Sequence, residues 1–96
     1  MTKVKLDKEL AEDLINSKLG ILKQYIDEIL ARYSESSPEE LLEKARIGVY
    51  EEAENDAIEL RQLLLDYSKL QEILLLLPLL ILLFLYQKSL TLLKTH

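Results

Sequence analysis

Residues 73–86 read ILLLLPLLILLFLY, an unbroken apolar run near the end of a chain of 96 residues. This run decides the architecture, because a helix that is apolar on every side must be enclosed on every side. The rest of the chain is rich in Glu and Lys, and 30% of all residues are charged. A chain of this length forms one small domain, so it has few other elements with which to enclose the run.

The composition excludes several classes of protein. The chain has no Cys, which rules out disulfides and thiolate metal sites. Its formal net charge of −5 repels phosphates, so we do not expect nucleic acid as a partner. The charge is unevenly placed: residues 1–34 are neutral, residues 35–66 carry a net −7, and residues 67–96 carry a net +2.

The first third of the chain carries a heptad pattern. Its apolar residues alternate steps of four and three, which predicts one long helix from about residue 7 to residue 33. We expect a bend or break near Ser17–Gly20, an N-cap at Asp7, and a candidate short strand over residues 2–6, where polar and apolar side chains alternate. The predicted packing seam is Ile15, Leu19, Leu22, Ile26, Ile29 and Tyr33, widened by Leu10, Leu14, Leu30 and Tyr25.

The middle of the chain predicts a second helix and a turn. In SESSPEE, Ser37 is the expected N-cap of a helix whose first residue is Pro38. Gly48 predicts a kink or turn within RIGVYEEAEND, after which Asn55 or Asp56 would cap a third helix. The residues expected to face the packing seam are Leu42, Ala45, Val49, Leu60, Leu63 and Leu64.

These patterns predict an all-α fold, an antiparallel helical hairpin or small bundle with a hydrophobic C-terminal helix and, as an option, a short N-terminal strand. Residues 1–36 hold the long amphipathic helix, residues 37–72 form an acidic helical segment, and residues 73–96 form the hydrophobic helix and tail. Pro78 removes one backbone donor, so we expect it to kink or end the last helix.

Three interpretations of the apolar run remain open. As the centre of a soluble monomeric bundle it would leave one flank bare, beyond what a soluble monomer tolerates. As a membrane segment it reaches the required length of roughly 20 residues if it extends over residues 73–93. As an association surface it is buried against copies of itself or another protein. The residues expected to carry this contact are Ile73, Leu74, Leu77, Leu80, Ile81, Phe84, Leu85 and Tyr86.

The chain is poor in groups that carry chemistry. Its sole His is the last residue, His96, and no loop with clustered glycines is present to hold a phosphate. The carboxylates between residues 51 and 59 lack the Glu-x-x-His spacing of helical di-metal sites. They predict a solvated acidic face or a docking surface for a basic partner. We therefore expect no catalysis, no cofactor and no metal.

KVKLDKELAEDL (residues 3–14) resembles the opening of a ribbon-helix-helix DNA-binding protein. LLEKARIGVYEEAENDAIELRQLLLDYSKL (residues 41–70) is similar to small prokaryotic, especially archaeal, antitoxins of toxin–antitoxin pairs. The resemblance covers residues 2–70. It implies a helical N-terminal part that dimerises, a downstream segment that covers a basic toxin surface, and Lys3 and Lys5 facing a DNA groove if the strand pairs.

The sequence thus predicts a non-enzymatic interaction protein attached to a membrane or an oligomer through its apolar C-terminal helix, with its N-terminal part in the cytoplasm. Its expected partners are a second copy, another protein, or a lipid bilayer that contacts residues 73–93. The alternative is a soluble, cytoplasmic, antitoxin-like protein that binds and neutralises a toxin, with DNA-binding autoregulation as an option.

Overall fold

The computed structural model describes residues 2–94, which form three helices. Helix α1 spans Thr2–Arg32, α2 spans Pro38–Arg46, and α3 spans Glu54–Lys94. Between residues 2 and 94 there is no strand, so the predicted all-α class is confirmed.

Helices α1 and α3 lie side by side in opposite directions. At one end Arg32 Nη1 lies 2.8 Å from Asp56 Oδ1, and at the other Asp7 lines a small cavity together with Ile81 and Phe84. Helix α2 packs across the end that carries the Arg32–Asp56 contact, which we call the closed end. We call the opposite end, with the cavity beside Asp7, the open end. The result is a rod of 68 × 22 × 16 Å.

The core lies entirely in the closed half of the rod. Ile29, Leu41 and Leu60, one from each helix, are at most 1% exposed and meet at its centre. Burying three such aliphatic side chains contributes roughly 5–9 kcal/mol before the entropy cost of ordering them. The other buried residues are Leu19, Leu22, Ile26, Leu30, Ala53 and Ala57. The half-buried side chains that pack against the core are Tyr33, Leu42, Tyr50, Leu63, Leu64 and Tyr67.

The first two helices end in the same kind of turn. In each, one residue adopts a left-handed conformation, with φ of 54° at Ser34 after α1 and 84° at Gly48 after α2. The following amide then donates to a carbonyl five residues back, which satisfies a helix-end acceptor. The closing bonds are Glu35 N to Leu30 O at 3.0 Å and Val49 N to Lys44 O at 2.9 Å.

The predicted start of the second helix is confirmed. Ser37 Oγ accepts a hydrogen bond from the Glu40 amide at 3.4 Å, and Pro38 is the first helical residue. Local chemistry suffices here, because the cap and the proline act within one turn of chain.

Three expectations about the N-terminal third are wrong. Residues 2–6 are helical rather than a strand, Asp7 lies inside α1 rather than capping it, and α1 continues through Ser17–Gly20 without a break. A segment with alternating polar and apolar residues forms no β-ladder without a second strand to pair with. When the helix continues through it instead, the interior backbone amides donate hydrogen bonds within the helix. The DNA-groove placement of Lys3 and Lys5 loses its basis with the strand.

Three expectations about the second half are also wrong. Helix α3 begins at Glu54, with the Ala57 amide donating to the Ala53 carbonyl at 2.8 Å, so neither Asn55 nor Asp56 is its cap. Val49 is 56% exposed instead of facing the seam, because the left-handed Gly48 takes it out of the α2 register. Of the two outcomes expected at Pro78, the end of the helix is wrong, because α3 continues to Lys94, and the kink stays a prediction.

Candidate functional site: the exposed apolar surface of the third helix

A network of polar side chains fastens the closed end. Asp56 on α3 accepts from Arg32 at 2.8 Å and from the Tyr33 hydroxyl at 2.5 Å. Glu35, whose side chain is 7% exposed, accepts from Lys44 at 2.7 Å and from the Tyr50 hydroxyl at 2.5 Å. The Tyr33 and Tyr50 rings join the two halves of this network, with centroids 4.8 Å apart. We call it the clasp.

The clasp shifts the pKa of its members in opposite directions. The hydrogen bond from Lys44, followed by that from Tyr50, lowers the pKa of Glu35. The hydrogen bond to Asp56 raises the pKa of Tyr33, and the bond to Glu35 raises that of Tyr50. The Glu35 carboxylate is thus held ionised and the two phenols are held neutral, an arrangement that holds the helices together.

The acidic middle of the chain forms no metal site in the described part of the structure. No three His, Cys, Asp or Glu side chains there are grouped closely enough to hold an ion. Asp56 is engaged in the clasp, and Glu51, Glu52, Glu54 and Glu59 are exposed to solvent. His96 lies outside the described residues.

The apolar run lies in α3 beyond the core, at the open half of the rod. One stripe of it, Leu74, Leu77, Ile81 and Leu85, is half-buried and recurs at steps of three and four, as expected for the side facing α1. The remaining predicted contact residues are exposed: Ile73 by 44%, Leu80 by 50%, Phe84 by 60% and Tyr86 by 62%. The predicted site is therefore divided between a face that the chain itself covers and a face that no described part of the chain covers.

Five further leucines belong to this exposed surface but are not among the contact residues predicted from the sequence. Leu75 is the most exposed of them, at 80%. Within an all-apolar run the periodicity that marks a buried stripe is absent, so no sequence pattern distinguishes these leucines from their neighbours. The others are Leu76, Leu79, Leu82 and Leu83. We call these five, with Ile73, Leu80, Phe84 and Tyr86, the apolar surface.

The packing seam of α1 is only partly buried. Leu19, Leu22, Ile26 and Ile29 are in the core, whereas Ile15 and Tyr33 are half-buried. Of the residues expected to widen the seam, Leu30 is buried. The other three are exposed, Leu10 by 57%, Leu14 by 64% and Tyr25 by 49%, because α1 has a single long neighbour and a second stripe finds nothing to pack on.

The total surface shows how incomplete the enclosure is. The chain exposes 7621 Å², whereas a compact monomer of 11.2 kDa exposes roughly 5,700 Å². The surplus is about 1,900 Å², more than the roughly 800 Å² that each partner buries in a standard protein interface. Large exposed apolar patches are typical of sites that contact another protein or lipid, which makes the apolar surface the candidate functional site.

Helix α3 is long and apolar enough to cross a membrane, judged by length and composition. Its most apolar window of 18 residues has a mean hydropathy of 2.1, and none of that window is buried. A core helix of a soluble protein can reach a similar hydropathy, but it would be covered by its neighbours.

Comparison of the chain with protein-family models, curated proteins and solved structures finds no match.

Proposed function

We propose that the protein is a non-enzymatic attachment protein, in which residues 73–93 of α3 anchor in a lipid bilayer. The closed half of the rod, with its core and clasp, stays in water as a small acidic head on the cytoplasmic side. The observation that carries this proposal is the contrast within one helix. Leu60 is fully buried near the start of α3, whereas Leu75 is 80% exposed inside the apolar run.

The dimensions of the segment fit a bilayer. Twenty-one helical residues rise about 31 Å, which matches the roughly 30 Å of hydrocarbon in a typical membrane. Charged residues flank it, with Glu72 before the run and Lys94 after it.

The polar residues near the end of the segment are arranged in ways that lower the cost of entering lipid. The Thr91 hydroxyl donates to the Gln87 carbonyl at 2.9 Å, which satisfies the donor inside the helix. Lys88 Nζ lies 5.4 Å from the centre of the Phe84 ring, a cation–π contact, and its long stem allows the ammonium to reach the interface. Pro78 is better tolerated in a membrane helix than in a soluble one.

A second candidate is a soluble, antitoxin-like protein whose apolar surface is covered by another protein chain, either a second copy or a toxin that it neutralises. The observation in its favour is that α1 places charged side chains beside the run, among them the Lys8–Glu12 pair at 3.7 Å. The acidic head would suit a basic partner in that case. Lipid is favoured because the exposed residues surround much of α3, whereas a groove-bound helix needs only one apolar stripe.

A matched pair of lysine substitutions tests the proposal. Leu65→Lys and Leu83→Lys change the same residue type on the same helix at 56% and 59% exposure. The two positions are 18 residues apart, which is five helical turns, so they share one face. Leu83 is at the midpoint of residues 73–93, whereas Leu65 is about 12 Å outside the segment.

Flotation of the full chain with phosphatidylcholine vesicles is the measurement. A lysine at the bilayer centre costs about 3 kcal/mol, so Leu83→Lys should lower partitioning roughly 100-fold. Leu65→Lys should partition like the unmodified chain. Equal partitioning of both variants would exclude membrane anchoring through residues 73–93. A soluble stoichiometric complex that Leu83→Lys disrupts would establish the second candidate.

A further inference from the structure

The two halves of α1 are held against α3 very differently. Residues 19–32 supply five buried side chains and end in the clasp. Between residues 7 and 18 no side chain is buried, and the half-buried ones are Lys8, Ala11, Glu12 and Ile15. Two of these four are charged, so they contribute only the aliphatic parts of their side chains to the contact. The first half of α1 is therefore weakly attached.

That weakly attached half covers the inner stripe of the apolar run. Asp7 lines a cavity with Ile81, Phe84 and Leu85, and the antiparallel arrangement places the residues after Asp7 along the rest of the run. This contact half-buries Leu74, Leu77, Ile81 and Leu85. It is the only cover that the described part of the chain gives to the stripe.

The same half of α1 cannot accompany the run into hydrocarbon. It carries seven charged side chains between residues 5 and 18, and each is costly at the centre of a bilayer. Between residues 7 and 18 the contacts with α3 are made by one isoleucine, one alanine and the aliphatic stems of Lys8 and Glu12, so separation from α3 is the less costly outcome. The charged residues are Lys5, Asp7, Lys8, Glu9, Glu12, Asp13 and Lys18.

Gly20 marks the boundary between the two halves. It is exposed, and no heavy atom lies within 4 Å of the place where its Cβ would be. Packing therefore does not require a glycine here. Glycine is, however, the weakest helix former apart from proline, which makes this the position at which α1 bends or unwinds most readily.

We propose that the first half of α1, residues 2–18, is a removable cover. In water it lies on the inner stripe of the apolar run, and at a membrane it swings away about Gly20 so that the whole circumference of α3 meets lipid. The clasp and the core keep residues 19–32 docked throughout. This inference rests on the membrane anchoring proposed above and adds its regulation.

Cross-linking each end of the rod tests the cover. The chain has no Cys, so the double variant Asp7→Cys/Phe84→Cys, bridged by a short bismaleimide, locks the open end specifically. The control is Arg32→Cys/Asp56→Cys, which locks the closed end, where the native side chains already lie 2.8 Å apart. Circular dichroism verifies that both variants remain helical before and after cross-linking.

Protection of residues 73–93 from protease in phosphatidylcholine vesicles is the readout. We expect the open-end cross-link to lower the protected fraction at least tenfold and the closed-end cross-link to change it less than twofold. Amides of residues 5–18 should also exchange faster with deuterium when vesicles are added, while those of residues 22–30 do not.

The outcomes separate the two proposals. If the chain locked at the open end is protected as fully as the unlocked chain, the cover is refuted and anchoring stands. If the unlocked chain itself gains no protection, anchoring is refuted and the cover with it. If only the closed-end cross-link abolishes protection, the hinge is at the other end and the assignment of the cover is wrong.

Discussion

The two glycines of the chain predict opposite responses to the same substitution. Gly20 lies within the uninterrupted α1, and an added methyl group would meet no atom within 4 Å. Gly20→Ala should therefore stabilise the fold by about 0.5–1 kcal/mol through helix propensity alone. Gly48 also has open space around its Cβ position but adopts φ of 84°, so Gly48→Ala should destabilise by about 1–2 kcal/mol through backbone strain.

Because both sites are sterically open, the difference between the two variants isolates the backbone conformation. The measurement is thermal unfolding followed by circular dichroism, in one mild detergent for all variants. Gly20→Ala should raise the Tm by about 4 °C, and Gly48→Ala should lower it by about 8 °C. A lowered Tm for Gly20→Ala would mean that α1 is broken at this residue. An unchanged Tm for Gly48→Ala would mean that α2 does not end in a left-handed turn.

Two further predictions concern the closed end. Ser34 occupies the same left-handed position after α1 that Gly48 occupies after α2, so Ser34→Gly should stabilise by about 1 kcal/mol, and an unchanged urea midpoint would contradict this. The pKa of Glu35 is lowered by Lys44, so its contribution to stability is complete above the ordinary glutamate pKa of about 4.3 and disappears as pH falls through the lowered pKa. Urea unfolding between pH 6 and 2 should accordingly show a shallower acid decline for Glu35→Gln than for the unmodified chain, and parallel curves would disprove it.

Features fixed by neighbours along the chain could be predicted from the sequence. The cap at Ser37, the first helical residue Pro38 and the turn at Gly48 each depend on chemistry within a few residues. The helical class likewise follows from spacing, since steps of three and four place apolar side chains on one side of a helix.

Features fixed by distant partners could not be predicted. Asp56 has the chemistry of a helix cap, but it binds Arg32 and Tyr33, which are more than twenty positions earlier in the chain. Ile15 and Leu22 are seven residues apart and equivalent in the heptad pattern, yet Ile15 is only half-buried whereas Leu22 is 4% exposed. Which stripe of a long helix is buried depends on where its neighbours lie, and one sequence pattern does not encode that position.

The same limit applies to the candidate site. The apolar run was evident from composition, but its division into an inner stripe and an outer surface required the position of α1. The covering role of the first half of α1 had no sequence signal at all, because its charged residues resemble those of any solvated helix.

Helix α3 passes from the acidic head into the apolar run without a loop or linker, as a single element of 41 residues. Head and anchor are therefore parts of one stiff shaft about 60 Å long. If residues 73–93 are anchored as proposed, a tilt or axial rotation of that segment would be transmitted through α3 to the clasp. The orientation of the head would then depend on the thickness of the membrane.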